Sequence, residues 1–131
     1  MSAGADPLAQ PLDFAVSIAD VRRWSELLDD DNPLHQGEGQ VVNPGPASLA
    51  YLISFLQRRL PAARLASFKC RFLSVVHAPG VAQAHGRIIR TETIEGGNRI
   101  YCELELLAGA ATAVAAEAVL ETPCEDSAAS A

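Results

Sequence analysis

The chain has 131 residues, of which 49% are hydrophobic and 5% aromatic, with a formal net charge of -6. That length fits one domain, whose folding buries roughly two thirds of the surface its unfolded chain would expose, and the apolar content leaves a surplus that points to an oligomer. The acidic balance argues against nucleic acid as a partner, and the longest apolar stretch, Ala47 to Leu56, is interrupted by Ser48 and Ser54 and is too short to span a bilayer, so no membrane partner is expected. The opening "MSAGADPLAQP" has neither a basic nor an apolar region of a signal peptide, which makes the cytoplasm the default compartment. Cys70, Cys102 and Cys124 form no CxxC pair, so neither a disulfide framework nor a zinc site is suggested.

Residues 1 to 12 and 123 to 131 are rich in Ala, Ser, Pro and acids and read as loose tails of a single domain spanning 1–131. Ser17, with Asp20 three positions on, forms a capping pair for a helix whose apolar stripe is Ile18, Val21, Trp24 and Leu28. That helix runs out in Asp29, Asp30 and Asp31. A second helix is predicted from "NPGPASLAYLISFLQRRL": Gly45 stands at the cap, Pro46 at the first helical position, and Arg58 and Arg59 at the C-terminal end. Leu49, Ala50, Leu52, Ile53, Phe55 and Leu56 cover nearly its whole circumference, as in a helix wrapped by a sheet.

From Arg64 the period changes to two. "LASFKCRFLSVV" places Phe68, Cys70 and Phe72 on one face and Lys69 and Arg71 on the other; "VAQAHGRIIRTETI" follows a turn at Pro79-Gly80. "EGGN" at 95 to 98 is a hairpin turn, after which Ile100, Cys102, Leu104 and Leu106 alternate with Tyr101, Glu103 and Glu105. Beyond "AGA" a last strand sets Val114, Ala116, Ala118 and Leu120 on one face. The sum is an α+β chain: a short helix, a long buried helix and three or four long antiparallel strands.

Charge is unevenly spread along this order. Between Arg58 and Arg99 lie eight of the ten basic residues and only two acids, Glu92 and Glu95. Two readings are open: a solvated sheet face with Arg on alternating positions, or a landing strip for a phosphate-bearing or acidic partner. His77 and His85, eight apart, lack further ligands at metal spacing and read as surface or dimer-contact residues, so no metal is expected. Trp24 and Tyr51 read as core anchors.

The run of three aspartates at the negative end of a helix dipole has no stabilising rationale. It continues as Asp30, Asn32, Pro33, Leu34 and His35, a D-x-N-P-L-H string that sets a carboxylate and an imidazole on either side of a stiff Asn-Pro turn. Here the chain resembles the MaoC-like, R-specific enoyl-CoA hydratase family, which carries that string. The likeness extends over about residues 13 to 123: the apolar helix opening on Gly45, "FLSVVHAPG" at 72 to 80 beside the family's F-x-x-P-V-x-x-G-D, and the Gly-linked final hairpin "LLAGAATAVAAEAVLETP". Two positions depart from it. Only ten positions separate His35 from Gly45, where the family commonly has a longer segment, and Pro44 stands where it commonly has His.

The resemblance implies a hot dog fold, a long helix wrapped by a curved antiparallel sheet and usually paired as a dimer, acting as a hydratase or dehydratase on trans-2-enoyl and (R)-3-hydroxyacyl thioesters of coenzyme A or acyl carrier protein. It implies that Asp30 and His35 share the water that adds to C3 and that the Gly45 N–H holds the thioester carbonyl at the positive end of the helix dipole, without any cofactor. Among the substrate-binding candidates, Asn32 is expected to cap the turn with its amide, and Ser48, one helical turn in, either hydrogen-bonds near Asp30 or packs against backbone; Arg64, Lys69 and Arg71 are candidates to meet the phosphates of the thioester carrier. Clustered carboxylates would favour a protonated form among themselves and a cationic imidazole nearby. A thioesterase of the same fold is the nearest rival, and it would use a carboxylate on or near the long helix; none lies between Pro46 and Gln57. A non-catalytic acyl-binding subunit of a hetero-oligomeric dehydratase is the rival from another class.

Overall fold

The computed structural model describes residues 6–28 and 41–123. In chain order they form β1 (Leu12–Val16), α1 (Ile18–Leu27), β2 (Val41–Val42), α2 (Gly45–Arg59), β3 (Arg64–Phe72), β4 (His77–Ala78), β5 (Gly80–Ile94), β6 (Gly97–Ala108) and β7 (Ala111–Pro123). Five strands build one antiparallel sheet in the order β1-β5-β6-β7-β3, and β2 pairs with β4 in a separate two-stranded ribbon. The expected α+β class and the order of two helices before long strands both hold. The capping pair holds too: the Ser17 hydroxyl accepts from the Asp20 N–H at 3.0 Å.

Alternation sorts the sheet into two faces. Ile100, Cys102, Leu104 and Leu106 of β6 and Val114, Ala116, Ala118 and Leu120 of β7 are all buried, as their period-two pattern predicts. Against them lie Leu52, Phe55 and Leu56 of α2. The facing strand β5 contributes only Ala82, Ala84 and Gly86 at its centre, and this smallness lets the helix come close. A Cβ at Gly86 would stand 2.7 Å from Leu104 Cδ2 and 3.0 Å from Phe55 Cε2. The opposite flank of α2, with Leu49, Ala50 and Ile53, is only half-buried, so the sheet wraps one side of the helix rather than its whole circumference.

The reading of residues 1 to 12 as a loose tail does not hold for their described part. Leu8 is 1% exposed and belongs to the core. Asp6 turns the backbone in front of it, its carboxylate accepting from the N–H of Leu8 and from the N–H of Ile88 on β5, each at 2.8 Å. The Arg59 guanidinium, in the last turn of α2, donates to the carbonyls of Gln10 and Pro11 at 3.1 Å each. Polar composition hid this because Leu8 is a single apolar residue, and its burial depends on partners far along the chain. β1 was likewise unforeseen: "LDFAV" is short and becomes a strand only by pairing with β5.

Two stability measurements follow. Leu8→Ala leaves a cavity in the core and should cost about 2–5 kcal/mol in urea unfolding, far beyond the effect of trimming a loose tail. Cys102, buried beneath α2 and near Asp6, has its thiol pushed up from 9.0 to about 11, first by burial and then by the Asp6 charge. A raised folded-state pKa means that the contribution of the protonated thiol is fully present below about pH 9 and is lost as pH rises towards 11. The stability gap between wild type and Cys102→Ala should therefore narrow across that window and stay constant from pH 6 to 8.

Candidate active site at the mouth of α2

The chain reaches α2 through β2, where Val41 and Val42 pair with Ala78 and His77 of β4. Asn43 follows, its N–H donating to the Val76 carbonyl at 2.7 Å. Pro44, with φ -62° and ψ 148°, is the N-cap, and its carbonyl accepts from the N–H groups of Ala47 and Ser48, both at 3.1 Å. Gly45 and Pro46 thus occupy the first two helical positions, one residue earlier than the sequence predicts. The reason is that the proline ring of Pro44 already holds the extended geometry a cap requires.

This start leaves the helix with one amide donor at its mouth. Of the N–H groups that begin α2, those of Ala47 and Ser48 are taken, Pro46 has none, and that of Gly45 has no acceptor among the described residues. A lone N–H at the positive end of a 15-residue helix can hold a carbonyl oxygen that gains negative charge.

Beneath it lies a polar pair, Asn43 and Ser48, of which sequence reasoning missed Asn43. Asn43 is 4% exposed and Ser48 3%, and the Asn43 amide Nδ2 donates to the Ser48 hydroxyl at 3.0 Å. The bond ties the residue before Pro44 to the first turn of α2 and so holds the Gly45 peptide from below. Asn43 Oδ1 has no partner among the described residues. The signal in the sequence was a polar residue, Asn43, between Val42 and Pro44-Gly45. Ser48, a substrate-binding candidate in the sequence, is buried here and accepts from Asn43.

A second missed residue covers the mouth from above. Phe72, last in β3, places its ring so that a Cβ on Gly45 would lie 3.1 Å from Cζ and 3.2 Å from Cε1. Glycine is needed here for the close approach of that ring.

The basic candidates are placed elsewhere. Arg64 begins β3, eight residues from Phe72, or roughly 26 Å along a strand at about 3.3 Å per residue. Its guanidinium donates to Glu121 at 2.6 Å. Lys69 and Arg71 open on the sheet face turned away from α2, where they line a groove of about 690 Å³ with His85, Glu103, Glu105 and Glu117. The cationic stretch read from the sequence is largely matched there: Arg87 binds Glu103, Arg90 binds Glu92, and Arg99 binds both Glu92 and Glu121. The Tyr101 hydroxyl at 2.7 Å, then Arg90, hold the Glu92 carboxyl below its ordinary value, and the Arg90 guanidinium lies 3.7 Å from the Tyr101 ring centre. The solvated-face reading describes this surface. His77 is exposed on β4, His85 meets the Gln83 side chain, and Tyr51 stacks on Phe14 with ring centres 4.7 Å apart. Burial, then the Asp20 charge, raises the Tyr51 hydroxyl.

Asp30, Asn32 and His35 lie outside the described residues. What the structure brings together is therefore Gly45, Ser48, Asn43 and Phe72. Chain order places the Asp-His segment between two described ends: α1, capped by Leu28, and β2, three residues before Gly45. α1 packs against β2.

No protein-family model and no curated protein matches this sequence. Solved structures do. The (R)-hydratase from A. caviae involved in PHA biosynthesis superposes with a TM-score of 0.77 at 19% identity, covering 94% of this chain and 100% of its own. The MaoC-like dehydratase from Rhodospirillum rubrum gives 0.74 at 12% identity, over 89% of this chain and 92% of that one. A probable thioesterase from Bartonella henselae gives 0.61 at 15% identity, over 89% and 91%. The helix held against a five-stranded antiparallel sheet is thus the hot dog fold that this chain shares with (R)-hydratases and MaoC-like dehydratases.

Proposed function

We propose that the chain is a hydro-lyase interconverting trans-2-enoyl and (R)-3-hydroxyacyl thioesters. The observation that carries this reading is the amide of Gly45 at the mouth of α2, without an acceptor among the described residues, combined with the D-x-N-P-L-H string of residues 30 to 35 in the segment leading to β2. The thioester carbonyl would accept from the Gly45 N–H. Asp30 and His35 would hold a water against C3 and take one of its protons as the oxygen adds. The C2=C3 electrons then move to the carbonyl oxygen as an enolate, which the helix dipole and the amide stabilise, and a proton delivered to C2 completes the addition. Reversal expels water. Each atom of the water is accounted for, and the scheme calls on no cofactor.

The names of the fold's members support this class, and the thioesterase among them is the competing outcome. The helix itself weighs against it: α2 carries no carboxylate. We further infer a homodimer. β3 is an edge of the sheet with nine residues of open backbone, and Leu65 on it and Leu73 beside it are exposed, a combination that free monomers avoid.

Three measurements test these readings. Loss of the conjugated enoyl absorbance of crotonyl-CoA should proceed with wild type and fall at least about 100-fold in Asp30→Asn and His35→Ala. Release of free thiol without hydration would replace the hydratase by a thioesterase. In Gly45→Ala the new methyl meets only the exposed Phe72 ring, which can swing aside, so the protein should melt within a few degrees of wild type while kcat falls. A variant as active as wild type would remove Gly45 from the site. Light scattering should give twice the 13.8 kDa chain mass; a single-chain mass would exclude the dimer.

A further inference from the structure

Along the helix-facing side of β3 the residues are Phe68, Cys70 and Phe72. The first two are half-buried. Phe72 is 54% exposed although it pairs with Val114, which is 1% exposed. A phenyl group left that open at the end of a core-facing row is not held there by core packing. It lies over Gly45, its ring edge filling the volume a side chain would take. The next residues, Leu73 at 53% and Val75 at 48% exposed, continue an apolar rim away from it.

We propose that Phe72 determines which acyl groups the site accepts, by forming the apolar wall beside the Gly45 N–H. The inference rests on the hydratase reading of the α2 mouth and adds its selectivity. A thioester carbonyl must come within about 2.9 Å of the Gly45 nitrogen to accept its hydrogen. Phe72 stands beside that amide, its ring edge where a Gly45 side chain would be. The carbonyl therefore enters along the ring, and carbons C2 to C4 pass over its apolar face. A short, unbranched enoyl group lies along the open face of the ring, whereas a longer or branched chain needs the space of the phenyl group. In an apolar pocket a single methylene changes discrimination by about 10-fold or more.

The test compares trans-2-butenoyl-CoA with trans-2-octenoyl-CoA on wild type, Phe72→Leu and Phe72→Ala. The kcat/KM ratio of the C8 over the C4 substrate should rise at least about 10-fold in Phe72→Ala, chiefly through KM, with Phe72→Leu between the two. Phe72→Leu keeps an apolar side chain on the strand and guards against a folding artefact. Ratios unchanged in both variants, or equal losses on both substrates, would overturn the assignment. Should wild type hydrate neither thioester, the hydratase reading fails on its own, and the wall is then judged by binding. The Kd of octanoyl-CoA relative to butyryl-CoA should fall by the same factor in Phe72→Ala, and an unchanged relative Kd would overturn the proposal.

Discussion

The contact of Phe55 with Gly86 sets the geometry of the molecule. A large ring on the helix comes down where the sheet has no side chain, so α2 sits closer to β5 than any other residue at position 86 would permit. Each fully buried Leu or Phe at this contact is worth about 1.5–3 kcal/mol of transfer free energy. Ala82 and Ala84 before Gly86, with Ala116 and Ala118 of β7, leave room for Leu52 and Leu56 in the same core. Larger residues there would lift the helix, and its N-terminus would move with it.

The mouth of α2 is a consequence of that seating. Once the helix axis is held by Leu52, Phe55 and Leu56, the first turn needs only to be fixed at its open end. Asn43 does this twice, with its N–H on Val76 and its amide on Ser48. Pro44 supplies the cap and takes two of the helix's early donors, and Pro46 removes a third. The remaining donor, on Gly45, has the helix dipole behind it and Phe72 in front. In the proposed reaction this amide would supply fixed stabilisation for the developing enolate charge, and Phe72 an apolar side to the site.

Electrostatics follows a similar economy on the other face. The basic excess between Arg58 and Arg99 is a property of chain order alone. In the sheet, β6 and β7 lie between β5 and β3, and their glutamates stand among the arginines of the outer strands. Pairs this exposed add little stability, yet they quench the cationic field that a linear reading anticipates.

Strand and helix identity were legible because the direction of a side chain is set by local backbone geometry. The alternation from Ile100 to Leu106 and from Val114 to Leu120, the Ser17 cap and the apolar stripe of α2 all report on neighbours a few residues away. The start of α2 was legible to within one residue, with Gly45 inside the helix rather than at its cap, while the role of its N–H as a donor came from the family resemblance and belongs to the proposal. What only the tertiary structure decided involves residues brought together across long stretches of chain. Leu8 became core through Ile88 and Arg59, Phe72 came to cover Gly45 from 27 positions away, and Glu121 claimed Arg64. No periodicity encodes such meetings, because they depend on strand order and on how deeply one helix sinks into one sheet.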